Sequence, residues 1–281
     1  MLTPKATAAA VFGLSKNKMI ILKLRGGVGN QMFQYAFGKS LAIRRDEKLI
    51  LDLSDYGLSN RTFSLDSINI KYDFKLENHL ISKLLHKIFR SKIFVDTSPE
   101  GSQSILENLK GKILISGYWE SPKFFKDIEN IIKKEFTLKN ESEVYKKYVS
   151  KISLQSSISI HVRRGDYLIP HGKYLQEASY YINGAKIIIK EKKINPPQII
   201  IFSDDPKWCR ENLRKIGQFD AEIFEDKNIS DVEEMKLMSK CAHNVISNST
   251  FSWWAGYLNK NPNKLVIGPI NWFTDEVANE V

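Results

Sequence analysis

The chain has 281 residues, 42% of them hydrophobic, and carries 42 Lys and Arg against 32 Asp and Glu, a formal charge of +10. That length buries one large core or two modest ones, and no run of about 18 apolar residues argues for a transmembrane helix. The two cysteines, Cys209 and Cys241, make neither a disulfide framework nor, alone, a zinc site, and fit a reducing compartment. The positive excess admits nucleic acid, an anionic membrane or an anionic substrate, with solvated helical faces as the plain alternative. No zinc-finger, helix-turn-helix or RNA-recognition signature selects the first of these.

Residues 1–18 hold a short apolar stretch interrupted by Gly13, a weak likeness to a signal peptide, and are read as an extension outside the fold. MIILKL (19–24) predicts a strand, RGGVGN a turn and QMFQYAFGKSLAIRRD a helix, with Phe33, Phe37 and Leu41 on one buried stripe. KLILDLS follows as a strand, completing a βαβ unit. Residues 54–110 are less regular, apart from the basic amphipathic HLISKLLHKIFRSK (79–92). KILISGYWE (112–120) predicts a strand, and SPKFFKDIENIIKKEF a helix capped by Ser121 with Pro122 in its first turn.

In the second half, SISIHV (157–162) predicts a strand, then come a loop and a helix near 176–192. PQIIIFSDD is a strand, PKWCRENLRKIG a helix from Pro206, and AEIFED a short strand. SDVEEMKLMSKC is a helix with a Ser230–Glu233 capping box; HNVISN, STFSWWAGYLNK and KLVIGP follow as strand, helix and strand. Such alternation predicts a doubly wound parallel sheet, whose ligands bind outside the strand carboxyl ends. The lysine-rich 141–151 marks a break, giving an N-terminal α/β domain over 19–150 and a C-terminal one over 151–281, facing a cleft.

Polar clusters fall at strand ends. Ser247, Asn248, Ser249 and Thr250 precede a helix, where hydroxyls, free amides and the helix dipole suit a phosphate, or where one residue simply caps. Arg163 and Arg164 offer permanent charge to phosphate or carboxylate, or pair with Asp166 or Asp204. Strand alternation points them to opposite sides, so one is expected to reach the ligand and the other to brace the loop. Asp204 and Asp205 fit a metal, a purine edge or a helix cap, with no third ligand nearby in sequence. In RGGVGNQ, Gly29, Asn30 and Gln31 follow a glycine turn; the last two could cap the helix or meet a sugar hydroxyl. Trp253 and Trp254 read as core.

GGVGNQMFQYAFG, HVRRGDY and SNSTFSWWAGYLN together resemble the bacterial α-1,2-fucosyltransferases of glycosyltransferase family 11, in order and from about Met19 to Trp272. The resemblance implies a GT-B fold of two Rossmann-like domains, with the first on the acceptor side and the second binding the donor. It implies metal-independent, inverting transfer from GDP-β-L-fucose to the 2-hydroxyl of a terminal galactose, with no cofactor. Through His161-Val162-Arg163-Arg164 the chain is also similar to α-1,6- and protein O-fucosyltransferases. On that likeness His161 and Arg163 are the donor-site pair, with the arginine on the diphosphate. Asp205, with Asp204, reads the guanine edge; Ser249 and Thr250 hold phosphate; Asn30 lies near the reacting sugar.

No catalytic base is fixed by the resemblance, and Asp166 and His171 are the candidates. The chain ends soon after Asn271, Trp272 and Phe273, so a C-terminal element is expected to be short or missing. The expected partners are GDP-fucose and a galactose-terminated oligosaccharide or lipid-linked glycan. The expected place is the cytoplasm, peripheral at the inner face of the cytoplasmic membrane, where helix 79–92 meets anionic lipid. A transferase of other donor or linkage on the same fold is the nearest alternative.

Overall fold

The computed structural model describes residues 19–56, 61–88, 113–165, 175–270 and 272. The chain divides into two units, with the second starting at Asn140.

In the first unit, β1 (Met19–Lys23) leads through α1 (Val28–Arg45) to β2 (Lys48–Asp52), then to β3 (Phe74–Leu76), α2 (His79–Ile88) and β4 (Ile113–Ile115). All pairings are parallel, in the order β3-β2-β1-β4. The chain thus winds outward from β1 on one side and returns to β4 on the other, so a switch point lies between β1 and β4, beside the glycine turn. The predicted stripe holds, since Phe33, Phe37 and Leu41 are buried. Burial extends around α1 to Met32, Tyr35 and Ala36, because a second layer covers the helix. In it Phe37 stacks on Trp119 at 4.3 Å and packs edge-on against Phe124 at 5.3 Å.

That layer explains two departures. The strand predicted over 112–120 is formed only at Ile113–Ile115, since Trp119 turns back onto Phe37 in a left-handed backbone conformation, φ 48°. The helix from Ser121 begins as a 3₁₀ turn over Pro122–Ile128, with Ser121 Oγ accepting from the Lys123 amide. It becomes α-helical only at α3 (Glu129–Glu135), past Phe125, whose non-helical backbone faces a fully buried ring toward Phe33.

The second unit runs α4 (Glu143–Val149), β5 (Ser157–Val162), α5 (Ala178–Lys192), β6 (Gln198–Ser203), α6 (Pro206–Asn212), β7 (Lys215–Ile216), β8 (Phe219–Phe224), α7 (Asp231–Lys240), β9 (His243–Val245), α8 (Thr250–Leu258) and β10 (Val266–Ile267). Its sheet has the order β10-β9-β5-β6-β8-β7 and is parallel except for the β7–β8 pair. Every residue of β5 is buried, as expected of a central parallel strand covered on both faces.

The helix predicted over 206–217 stops at Asn212. Gly217, at φ 65°, lets the chain reverse, so Lys215 and Ile216 pair with Asp220 and Phe219 while Ile216 enters the core. The division of the chain falls at Asn140 rather than Lys151 because α4 packs on α7. Glu233, besides closing its capping box with Ser230, accepts the Ser142 amide at 2.9 Å.

Candidate functional site

The second unit's switch point lies between β5 and β9, where β5 leads outward to β6 and β8 while β9 and β10 fill the other side. Three predicted clusters meet around it. His161 near the end of β5 places Nδ1 2.9 Å from Ser247 Oγ in the loop after β9, and its ring lies against Phe251, centroids 5.3 Å apart. Burial, then the charge of Arg163, push the imidazole down to about 3, so it is neutral at ordinary pH.

The loop after β5 is fastened to the end of β6 by carboxylates. Asp204 Oδ2 takes Arg163 Nη1 and the Gly165 amide, both at 3.1 Å, while Oδ1 takes the Arg164 amide at 2.8 Å. A side chain at Gly165 would put its Cβ 2.9 Å from that same Oδ2, so the close approach requires glycine. Asp205 caps α6 by accepting the Trp208 amide on Oδ1, and its Oδ2 lies 3.3 Å from Arg164 Nε. The Arg164 guanidinium also covers the Trp208 ring, 4.1 Å from its centroid. Both arginines therefore meet aspartates, and Arg164 is held by three groups, Asp204, Asp205 and Trp208, through its amide and its side chain. Trp208 was missed in the sequence, where only its place three residues past Asp205 marked it.

Beyond Ser247, Asn248 is a structural bridge: Gln176 donates to its Oδ1 at 2.7 Å, and its Nδ2 donates to the Trp272 carbonyl at 3.0 Å. Tyr180 supports the same loop by donating to the Ile246 carbonyl at 2.7 Å. Nothing local in the sequence marks Gln176 or Tyr180. Ser249 is the N-cap residue of α8, yet its side chain makes no cap hydrogen bond. Ordinary N-capping therefore does not account for the Ser249 hydroxyl, at a helix start whose first amides lack intrahelical acceptors. Thr250 opens the helix. Trp254 is fully buried, and Trp253, partly exposed, stacks on Tyr257 at 4.8 Å.

One acid near this cluster was not singled out. Glu234, in the first turn of α7, is pushed up to about 7 by burial and by the charges of Asp231 and Asp204. Asp166 and His171 lie outside the described residues. No group of three His, Cys, Asp or Glu among the described residues could hold a metal ion.

In the first unit, α1 begins at Val28, so Gly29, Asn30 and Gln31 belong to its first turn and Gly27 is the N-cap. Gln31 corrects the expectation of a capping or sugar-binding amide. It is fully buried, its Nε2 donates to the Gly26 and Thr62 carbonyls at 3.0 and 2.9 Å, and its Oε1 accepts the Ser64 amide. Gln31 thus sews the glycine turn to the 62–64 loop. Asn30 leans over Gly26, which has φ 82° and where an added Cβ would lie 3.0 Å from Asn30 Nδ2.

Comparison with known proteins agrees with this architecture. The α-1,2-colitosyltransferase of Escherichia coli is 31% identical over 93% of this chain and 94% of its own. The O-antigen biosynthesis glycosyltransferase WbnK of Escherichia coli is 30% identical over 89% and 93%. The galactoside 2-α-L-fucosyltransferase of Caenorhabditis elegans is 24% identical over 92% and 74%. Among solved structures, fucosyltransferase NodZ from Bradyrhizobium superposes with a TM-score of 0.52 at 15% identity, over 85% of this chain and 92% of that one. Arabidopsis thaliana FUT1 in complex with GDP gives 0.56 at 13% identity, over 98% and 78%. At such identities the likeness shows the fold, which is the GT-B type. The profile of glycosyl transferase family 11 matches residues 2–280, and the chain belongs to that family.

Proposed function

We propose that the chain transfers L-fucose from GDP-β-L-fucose to the 2-hydroxyl of a terminal galactose, with inversion and without a metal. The observation that carries this reading is the switch-point cluster of the second unit: a neutral His161, an Arg163 held by Asp204, and a hydroxyl-rich helix start whose N-cap residue, Ser249, makes no cap hydrogen bond. Leaving-group departure adds negative charge to the diphosphate while the sugar becomes oxocarbenium-like, so fixed positive groups at the diphosphate stabilise the transition state more than the ground state. Arg163 and the start of α8, with Ser249 and Thr250, are assigned that role.

Neutral His161 orients Ser247 without adding a titrating charge. Arg164 is the brace. Asp204 sets the geometry of both arginines; Asp205 has lone pairs left for the guanine edge, since carboxylate oxygens accept more than one hydrogen bond. Asn30 is assigned to the reacting sugar, and the proton of the attacking hydroxyl passes to Asp166 or His171. Likeness to an O-antigen biosynthesis glycosyltransferase and a colitosyltransferase favours surface polysaccharide synthesis, O-antigen in particular, as the setting. The colitosyltransferase also raises colitose as the competing donor sugar. Incubation with GDP-fucose or GDP-colitose and a panel of β-galactosides, followed by NMR of the product linkage, tests the proposal; transfer of colitose alone, or to another hydroxyl, refutes it.

We propose in addition that α2 gives peripheral contact with an anionic membrane. No helix among the described residues is long and apolar enough to cross one. The observation favouring surface contact is that Leu80 is 75% and Leu84 47% exposed, beside exposed Lys83. Leu85, in the same amphipathic run, is buried in the core, and Phe89 lies outside the described residues.

A further inference from the structure

Arg25 closes the stretch that leaves β1 at the first unit's switch point, and neither the chemistry nor the packing described so far uses its side chain. Arg44, Arg45, Arg163, Arg164 and Arg210 each meet a carboxylate. Arg25 meets none among the described residues. It is half-buried, its Nε is inaccessible to solvent with no hydrogen-bond partner, and its guanidinium sits over the Tyr118 ring, 4.9 Å from the centroid. A buried guanidinium N–H without an acceptor is costly, so this one is poised for an acceptor that the described residues do not supply.

A second donor in the same place is unmet. Gln34 is fully buried, and its Oε1 accepts the Arg25 amide at 3.0 Å, which fixes which end of the side-chain amide is which. Its Nε2 is left buried with no partner. Tyr56 adds a phenol that donates to the Gly26 carbonyl at 3.4 Å, one residue from Arg25. The outcome is two unpaired N–H donors and an aromatic face at the carboxyl end of β1, where ligands of doubly wound sheets bind. Aromatic faces and planar N–H donors are what the apolar face and the hydroxyl oxygens of a sugar ring require.

We infer that Arg25, oriented by Tyr118 and supported by Gln34, contacts the acceptor sugar and helps set acceptor specificity. The inference rests on the transferase reading above only in naming the sugar as an acceptor. Lysine would keep the charge over the ring but not the planar fork of donors. The residue touches substrate, and its effect belongs in acceptor binding rather than in donor binding.

The test titrates N-acetyllactosamine against the full chain with GDP present, by saturation-transfer NMR, for wild type, Arg25→Lys, Arg25→Ala and Tyr118→Ala, alongside GDP calorimetry and thermal melting. Loss of a charge-assisted hydrogen bond weakens galactoside binding by about 10- to 100-fold. The expected result is that weakening in folded Arg25 variants, with GDP affinity within about twofold of wild type. Arg25→Lys, as the smaller change, carries the comparison if Arg25→Ala does not fold. Unchanged galactoside binding in a folded Arg25 variant, weakened GDP binding, or no galactoside binding by wild type each overturns the inference. Failure of the transferase reading shows separately, as wild type that binds galactoside yet transfers nothing from GDP-fucose.

Discussion

His161 and Ser247 lie 86 positions apart in the chain and 2.9 Å apart in space, joined by Nδ1 and Oγ across the switch point of the second sheet. The bond ties the strand that carries the arginines to the loop that starts α8. Because the imidazole is held neutral, at about 3 against an ordinary 6.5, it also makes the fold sensitive to acid. A depressed folded-state value means stability fully present above 6.5 and lost as pH falls from 6.5 toward 3. His161→Asn should lower stability at pH 7 yet show a shallower loss of stability on acidification from 6.5, read by urea melts at several pH values. Equal slopes for both proteins would show that the imidazole is protonated in the folded state.

Arg163 and Arg164 are adjacent but differently used. Arg164 is braced by Asp204, Asp205 and Trp208, whereas Arg163 is assigned to the diphosphate. Arg163→Lys should keep charge but lose the planar fork, cutting kcat by roughly 10²-fold with little change in melting temperature. Arg164→Lys should instead lower the melting temperature through the lost stack and amide-flanked ion pair. Near-normal turnover by Arg163→Lys would move the diphosphate role to its neighbour.

Glu234 should make the protein less stable as pH rises. Its carboxyl is raised from 4.5 to about 7 in the folded state, so its contribution is fully present below 4.5 and lost as pH rises through 7. Glu234→Gln should therefore gain stability relative to wild type between pH 5 and 8, with the gain growing toward pH 8. A constant difference across that range would mean that the carboxyl ionises normally.

Leu80 and Leu84 should mediate weak, salt-sensitive binding to vesicles containing acidic lipid, with Lys83 attracted to the surface. Leu80→Ser with Leu84→Ser should abolish sedimentation with such vesicles while leaving transfer to a soluble galactoside intact. Equal sedimentation with neutral and acidic vesicles would remove the membrane contact.

Periodic and local signals carried the fold well. Alternating apolar runs marked both parallel sheets, the Ser230–Glu233 spacing marked a capping box that is formed, and the polar clusters fall at strand ends as the winding requires. What escaped were features decided by distant packing. The early end of the strand at Ile115 depends on Trp119 finding Phe37, 82 residues upstream, and β7 depends on Ile216 reaching the core. At the site, residue types were legible but their partners were not. Gln31 looked like a sugar ligand because its sequence neighbours fit one, yet its amide is occupied by the 62–64 loop. Arg25 looked like part of a turn, since only the folded chain shows that no carboxylate among the described residues reaches it.

The central claim is that Arg163, Ser249 and Thr250 stabilise a departing GDP without a metal, so the most direct measurement is transfer itself in chelator. Purified protein is incubated with GDP-fucose and a β-galactoside in excess EDTA, and the product is analysed by NMR. The account predicts an α-linked fucose on the 2-hydroxyl of galactose at a rate unaffected by EDTA. A rate abolished by EDTA and restored by magnesium or manganese, or a product of β configuration, would contradict it.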